Sequence, residues 1–95
     1  MPAYLVVNID VTDPTRYQEY IRAVPHTIEQ YGGKYLARGG RVAVLEGRWN
    51  PKRMAIVEFP SAEQAKAWWD STEYAGPKAI RQSCSRGEIV LVDGV

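Results

Sequence analysis

The side chains whose types and spacing could do chemistry are mostly aromatic. Tyr17, Tyr20 and Tyr31 recur at helical spacing, and Trp68, Trp69 and Tyr74 form a second group later in the chain. Together they could wall a pocket for a flat ring, with Trp68 or Trp69 as the wall and Tyr74 as a proton donor. Core packing, with phenols and indoles reaching the edge for hydrogen bonds, is the plainer expectation for the same residues. Arg38 stands just before Gly39-Gly40, where a bend would aim it inward, and a guanidinium there could hold a carboxylate or an enolate oxygen. The alternative, which we expect, is that Arg38 pairs with Glu58 or Glu46 across strands or across a dimer. Neither glutamate has a close sequence partner that would make a matched acid–base pair. With the strand residue Asn8 added, the candidate pocket is Asn8, Tyr17, Arg38, Trp68 and Tyr74.

Other catalytic groups are scarce. His26 is the only histidine, nine residues from Tyr17. At about 100° per residue that is half a turn of the helical wheel, so His26 is expected to face water rather than act as a base or haem ligand. Cys84 is the only cysteine. It cannot form an internal disulfide, and with one histidine it cannot build a zinc site. It is expected to be a small buried or half-buried residue rather than a nucleophile, since no histidine lies near it in sequence to activate a thiolate. Gly32-Gly33 and Gly39-Gly40 lack the strand–loop–helix order and the lysine of a phosphate-binding loop, and mark helix termination and a bulge. No metal and no cofactor is expected.

The elements that must position these residues follow from periodicity. Tyr4 to Ile9 is strand-like and apolar at consecutive positions, which suggests burial on both faces. Asp13-Pro14 starts a helix, with Asp13 as N-cap and Pro14 where a missing N–H costs nothing. Tyr17, Tyr20, Ile21, Val24, Ile28 and Tyr31 share one face of it. Pro25 removes the bond to the Ile21 carbonyl and should kink the axis, and Gly32 ends the helix. A second strand starts at Lys34, breaks at Gly39-Gly40 and resumes through Val42, Val44 and Leu45. Arg48 to Lys52 makes a turn, and Met54 to Phe59 is the third strand. Ser61 and Gln64 form a capping box ahead of a helix carrying Ala65, Trp68 and Trp69 and ending near Ser71-Thr72. A short helical piece covers roughly Tyr74 to Ser83, and Glu88 to Val92 is the fourth strand.

The order is β-α-β-β-α-β: one α+β domain over residues 1–95, ferredoxin-like, with a four-stranded antiparallel sheet and the helices on one face. The second face of the sheet is apolar too, and the chain has no residues left to cover it. A homodimer packed through the open sheet face is the economical expectation. Net charge is +1, from 12 basic and 11 acidic residues, and no basic run interleaves with aromatics, so no nucleic-acid partner is expected. The start, Met1-Pro2-Ala3-Tyr4, carries no basic flank or long apolar stretch, so neither a signal peptide nor a membrane partner is expected. A reducing, cytoplasmic setting is the default.

The run Asp13-Pro14, Tyr17, Tyr20, Val24-Pro25, Tyr31-Gly32-Gly33, Ala37-Arg38-Gly39-Gly40, Leu45-Glu46-Gly47 and Glu58-Phe59-Pro60-Ser61 resembles the domain of unknown function 1330 family. Ala67-Trp68, Ser71, Glu73-Tyr74 and Ala79-Ile80-Arg81 fit it as well. The resemblance implies the dimeric α+β barrel superfamily and no settled activity. Relatives in that superfamily include cofactor-free monooxygenases of phenolic substrates, lactone isomerases and haem enzymes, several with a cavity between helices and sheet. The expected function is that of a small homodimeric protein that binds a small molecule or is accessory, with no chemistry of its own. The alternative is a cofactor-independent monooxygenase or isomerase of a small aromatic or enolic metabolite. A third is an N-terminal-proline tautomerase, if removal of Met1 exposes Pro2. A cavity of about 300 Å³ or more, with Arg38 or Asn8 converging on it, would favour the enzyme. A filled core with Arg38 in a salt bridge would favour the binding or accessory protein.

Overall fold

A computed structural model describes residues 1–95. The first helix, α1 (Pro14–Gln30), begins as the capping residues require. The Asp13 carboxylate accepts from the Arg16 amide at 3.2 Å, and Pro14 occupies the first turn. It ends where Gly32 takes a left-handed φ of 79°. Its buried face carries Tyr17, Val24, Thr27 and Ile28. Two further helices, α2 (Ala62–Trp69) and α3 (Thr72–Cys84), lie on the same side of the sheet, each capped by a serine, Ser61 and Ser71.

The strands β1 (Ala3–Val11), β2 (Lys34–Arg38), β3 (Arg53–Phe59) and β4 (Ser85–Asp93) form one sheet in the order β2-β3-β1-β4, with every neighbouring pair antiparallel. This is the ferredoxin-like arrangement expected, with a third helix inserted before the last strand. Helix α3 runs straight into β4 without a linking residue. The Cys84 carbonyl at that junction accepts from the amides of both Thr12 (2.8 Å) and Asp13 (3.1 Å).

Side chains alternate across each strand. Leu5 and Ile9 of β1, with Val57 and Phe59 of β3, turn to the helices and are buried with Val24, Ile28, Ala65, Trp68 and Tyr74. Each large apolar group so buried stabilises the fold by about 1.5–3 kcal/mol. The intervening residues turn the other way, onto a face this chain does not cover: Val90 is 57% and Val92 51% exposed. The molecule is accordingly a slab of 34 × 32 × 16 Å, one helix layer on one sheet.

Three expectations are corrected. The second strand does not resume after Gly39-Gly40. From Gly39 to Lys52 the chain is an irregular exposed arm carrying Val42, Val44, Leu45 and Trp49. The consecutive apolar residues there, Val42 to Leu45, pair with no strand of this chain. The capping box is half formed: Ser61 Oγ accepts from the Gln64 amide at 3.2 Å, but the Gln64 side chain donates to the Tyr31 carbonyl, tying α2 to the end of α1. Finally, α3 starts at Thr72 and holds Pro77 in its interior. The carbonyl that Pro77 leaves without a helix partner belongs to the exposed Glu73, where water can serve it.

Candidate functional site

A small cavity of about 40 Å³ lies between α1 and the sheet. Its walls are apolar apart from the phenols of Tyr17, Tyr20 and Tyr35, the indole of Trp68, and two guanidinium groups, Arg38 and Arg53. The size suits a water molecule rather than a ring.

Arg38 reaches this cavity through two local features. The ladder between β2 and β3 slips between Tyr35 and Ala37, so that Tyr35 opposes Val57, Ala37 opposes Ile56 and Arg38 opposes Ala55. The slip reverses the alternation, and Arg38 comes to the same face as Tyr35 although the two are three positions apart. The bend that aims Arg38 inward is therefore a bulge at Leu36, ahead of the glycines. The second feature is Pro25. Having no N–H, it leaves the Ile21 carbonyl of α1 without its helix bond, and Arg38 Nη2 donates to that oxygen at 2.7 Å. The guanidinium also lies 4.8 Å from the Tyr35 ring centre. Within the chain Arg38 makes no ion pair with Glu58 or Glu46. Glu58 pairs instead with Lys34, at 3.3 Å.

Arg53 sits 5.6 Å from the Tyr17 ring centre and against the backbone of Gly39. A Cβ on Gly39 would come within 2.7 Å of Arg53 Nη1, and its φ of +66° already disfavours a side chain. Glycine at 39 thus leaves room for the guanidinium beside Tyr17.

Burial sets the ionisation of the phenols. It pushes Tyr35 up to about 12, with Arg38 pulling the other way. It also raises Tyr17, against the opposing charge of Arg53. Tyr20 is raised further by burial and by the neighbouring Tyr74 phenol. All three are neutral hydrogen-bonding groups near pH 7, and none is a base there. With two guanidiniums beside them, the polar part of the wall suits an oxygen bearing negative charge.

Behind the cavity the aromatics pack. Trp68 and Tyr74 stack with ring centres 3.9 Å apart, and both are buried. The Trp68 indole donates to Thr27 Oγ1 at 3.0 Å. The Tyr74 phenol shares a 3.0 Å hydrogen bond with that of Tyr20 and accepts from Arg81 Nε at 3.3 Å. Tyr74 is therefore one hydrogen bond behind the cavity wall, with Tyr20 in front of it.

Of the five residues read from sequence, Tyr17, Arg38 and Trp68 meet at the cavity, Tyr74 supports it, and Asn8 does not take part. Asn8 pairs with Met54 and Glu88 on the open face, where its Oδ1 accepts from the Lys52 amide at 3.0 Å and steadies the arm. Tyr20 belongs to the aromatic group read from sequence, whereas Tyr35, Arg53 and Arg81 were missed as site residues. Their signal was periodicity: Arg53, Ala55 and Val57 alternate on one face, and Arg81 follows Tyr74 by two helical turns. His26 is exposed and lines no part of the cavity, and Cys84 is buried. Pro2 lines no part of the cavity, and its carbonyl accepts from the Gly94 amide at 2.7 Å. No helix is long and apolar enough to cross a membrane.

The comparisons with known proteins agree with this architecture. The family described as "Domain of unknown function (DUF1330)" matches residues 2–95. A protein of unknown function from Rhodopseudomonas palustris superposes with a TM-score of 0.80 at 18% identity, over 99% of this chain and 82% of that one. SnoaB, a cofactor-independent oxygenase from Streptomyces nogalater, superposes with a TM-score of 0.67 at 9% identity, over 99% and 93% of the two chains. A conserved protein from Methanosarcina mazei gives 0.58 at 20% identity, over 100% and 95%. At these identities the likeness shows the fold. No curated protein sequence matches the chain.

Proposed function

We propose that this chain, which belongs to the DUF1330 family, is a homodimeric protein that binds a small aromatic or enolic molecule between α1 and the sheet. One observation carries this reading: the guanidiniums of Arg38 and Arg53 stand at a cavity of phenols and aliphatic groups, and neither has a carboxylate partner. An enolate, phenolate or keto-acid oxygen would complete them. The cavity of about 40 Å³ is the closed form, and a ring enters when Arg38 releases the Ile21 carbonyl. The dimer packs through the open sheet face. Val90, Val92 and the Trp49 of the arm, all more than half exposed, gain the cover that this chain lacks. One buried thiol and no disulfide suit a reducing, cytoplasmic compartment.

The test is a thermal-shift screen with phenols, quinols, lactones and small keto acids. A ligand at a hundredfold excess over its dissociation constant stabilises by about 2.7 kcal/mol. A hit that Arg38→Ala abolishes supports the reading, and a hit indifferent to both Arg38→Ala and Tyr17→Phe places the ligand elsewhere.

A second reading, a cofactor-independent monooxygenase or isomerase at the same site, is favoured by the chain Tyr20–Tyr74–Arg81. It could hold or pass a proton at the ligand's oxygen. Product formation from a screened ligand, with or without uptake of dissolved dioxygen, distinguishes this enzyme from a binding protein.

A further inference from the structure

A further cation without a carboxylate partner lies outside that cavity. Arg81 is 6% exposed, and the one hydrogen bond of its guanidinium within the protein is the 3.3 Å bond from Nε to Tyr74. No carboxylate lies within ion-pair distance of it, since the single ion pair of the chain joins Lys34 and Glu58. Most of the side chain is withdrawn from water, but its terminal nitrogens still reach the surface, where an anion could pair with them. The only other help it has is the Trp69 ring, whose centre is 5.8 Å away. A second cation shares that ring: Lys78 Nζ is 4.4 Å from its centre.

Arg81 faces a cleft of about 430 Å³ between α3 and β4, walled also by Trp69, Gln82 and Ser85, with no acidic residue in its lining. The cleft exists because β4 is an edge strand that the helices cover incompletely, leaving Ile89 and Leu91 half buried. Next to it, sharing Trp69 and Ile89, is an apolar cleft of about 210 Å³ along Leu91. A basic end and an apolar end thus run into one another.

We propose that this groove binds a small organic carboxylate. The planar fork of Arg81 takes the two carboxylate oxygens, and the apolar body lies over Ile89 and Leu91 against Trp69. The site uses neither Arg38 nor Arg53; it meets the first cavity only through the bond from Arg81 to Tyr74, and Arg38→Ala therefore separates the two ligands.

Calorimetric titration with phenylacetate, 2-phenylethanol and inorganic phosphate tests it. Phenylacetate is expected to bind, with the alcohol about tenfold or more weaker because it brings no charge to the guanidinium. Arg81→Met is expected to fold and to lose phenylacetate binding by at least about tenfold, while Arg38→Ala retains it. Should Arg81→Met fail to fold, Leu91→Glu supplies the same test, since it puts a like charge in the apolar end and should abolish binding. Absence of phenylacetate binding, equal binding of the alcohol, loss of binding in Arg38→Ala, or full binding in Leu91→Glu overturns the proposal. Phosphate binding as tightly as phenylacetate overturns the part played by the apolar cleft.

Discussion

The two faces of the sheet are built from the same strands and meet different fates. On the helix side Leu5, Ile9, Val57 and Phe59 are sealed; on the other, Val6 and Ile56 are only partly covered, and Val90 and Val92 are open. Strand alternation alone would make one apolar face and one polar face. Here both are apolar, and only one is answered within the chain. The helix face shows what holds the monomer together, whereas the open face shows what the monomer lacks.

Substitutions that remove the difference should separate these roles. Phe59→Ala empties the sealed side, where Phe59 packs 5.6 Å from Trp68 between ring centres. A loss of about 3–5 kcal/mol is expected, a large share of the ~5–15 kcal/mol typical of a domain; chemical denaturation would measure it. Val90→Asp on the open side should leave the fold intact, by circular dichroism, yet dissociate the proposed dimer. Light scattering would then fall from twice 10.7 kDa to 10.7 kDa, and a mass that stays doubled would place the dimer contact elsewhere.

Smaller effects probe the seam between helix and sheet. Arg38→Ala should cost about 1 kcal/mol by stranding the Ile21 carbonyl. In a Pro25→Ala background that carbonyl regains its helix bond, so the same substitution should cost about half as much; the difference is read from a double-mutant cycle. The last expected effect is alkaline and shows only outside the physiological range. Tyr35 ionises at about 12 in the folded chain, against 10.0 for a free phenol. The unfolded chain therefore loses this proton first. The contribution of the buried neutral phenol is complete below pH 10 and is lost as the pH rises towards 12. Denaturant midpoints measured across that range should fall less in Tyr35→Phe.

Much of this frame was legible in sequence because it rests on local rules. Asp13-Pro14 starts α1, Gly32 ends it, and Pro25 frees the Ile21 carbonyl, all from the chemistry of single residues. What was not legible depended on parity and on partners. A bulge at Leu36 decides which way Arg38 points, and no residue type there announces it. Asn8 is a polar group on a strand that is apolar on both sides, so its face cannot be read from β1 alone. Its position between Val7 and Ile9 excludes it once those two are known to face the helices. Val42 to Leu45 is a run of β-branched and apolar residues of the kind strands use, but such composition does not by itself supply a pairing neighbour. Arg81 escaped because a buried arginine is unusual, although its spacing from Tyr74 placed it on the inner face of α3.

The Pro25 gap also bears on timing. Along an ordinary helix, opening a path beside Ile21 would require backbone bonds to break in concert. Here the carbonyl is held by a side chain instead, and an exposed side chain changes rotamer in picoseconds to nanoseconds, whereas collective helix shifts take microseconds or longer. Traffic through the mouth of the proposed site is then paced by the departure of one guanidinium. Ligand exchange can be fast while α1 stays in place, and residence time is governed by what the ligand offers Arg38 in exchange for the Ile21 oxygen.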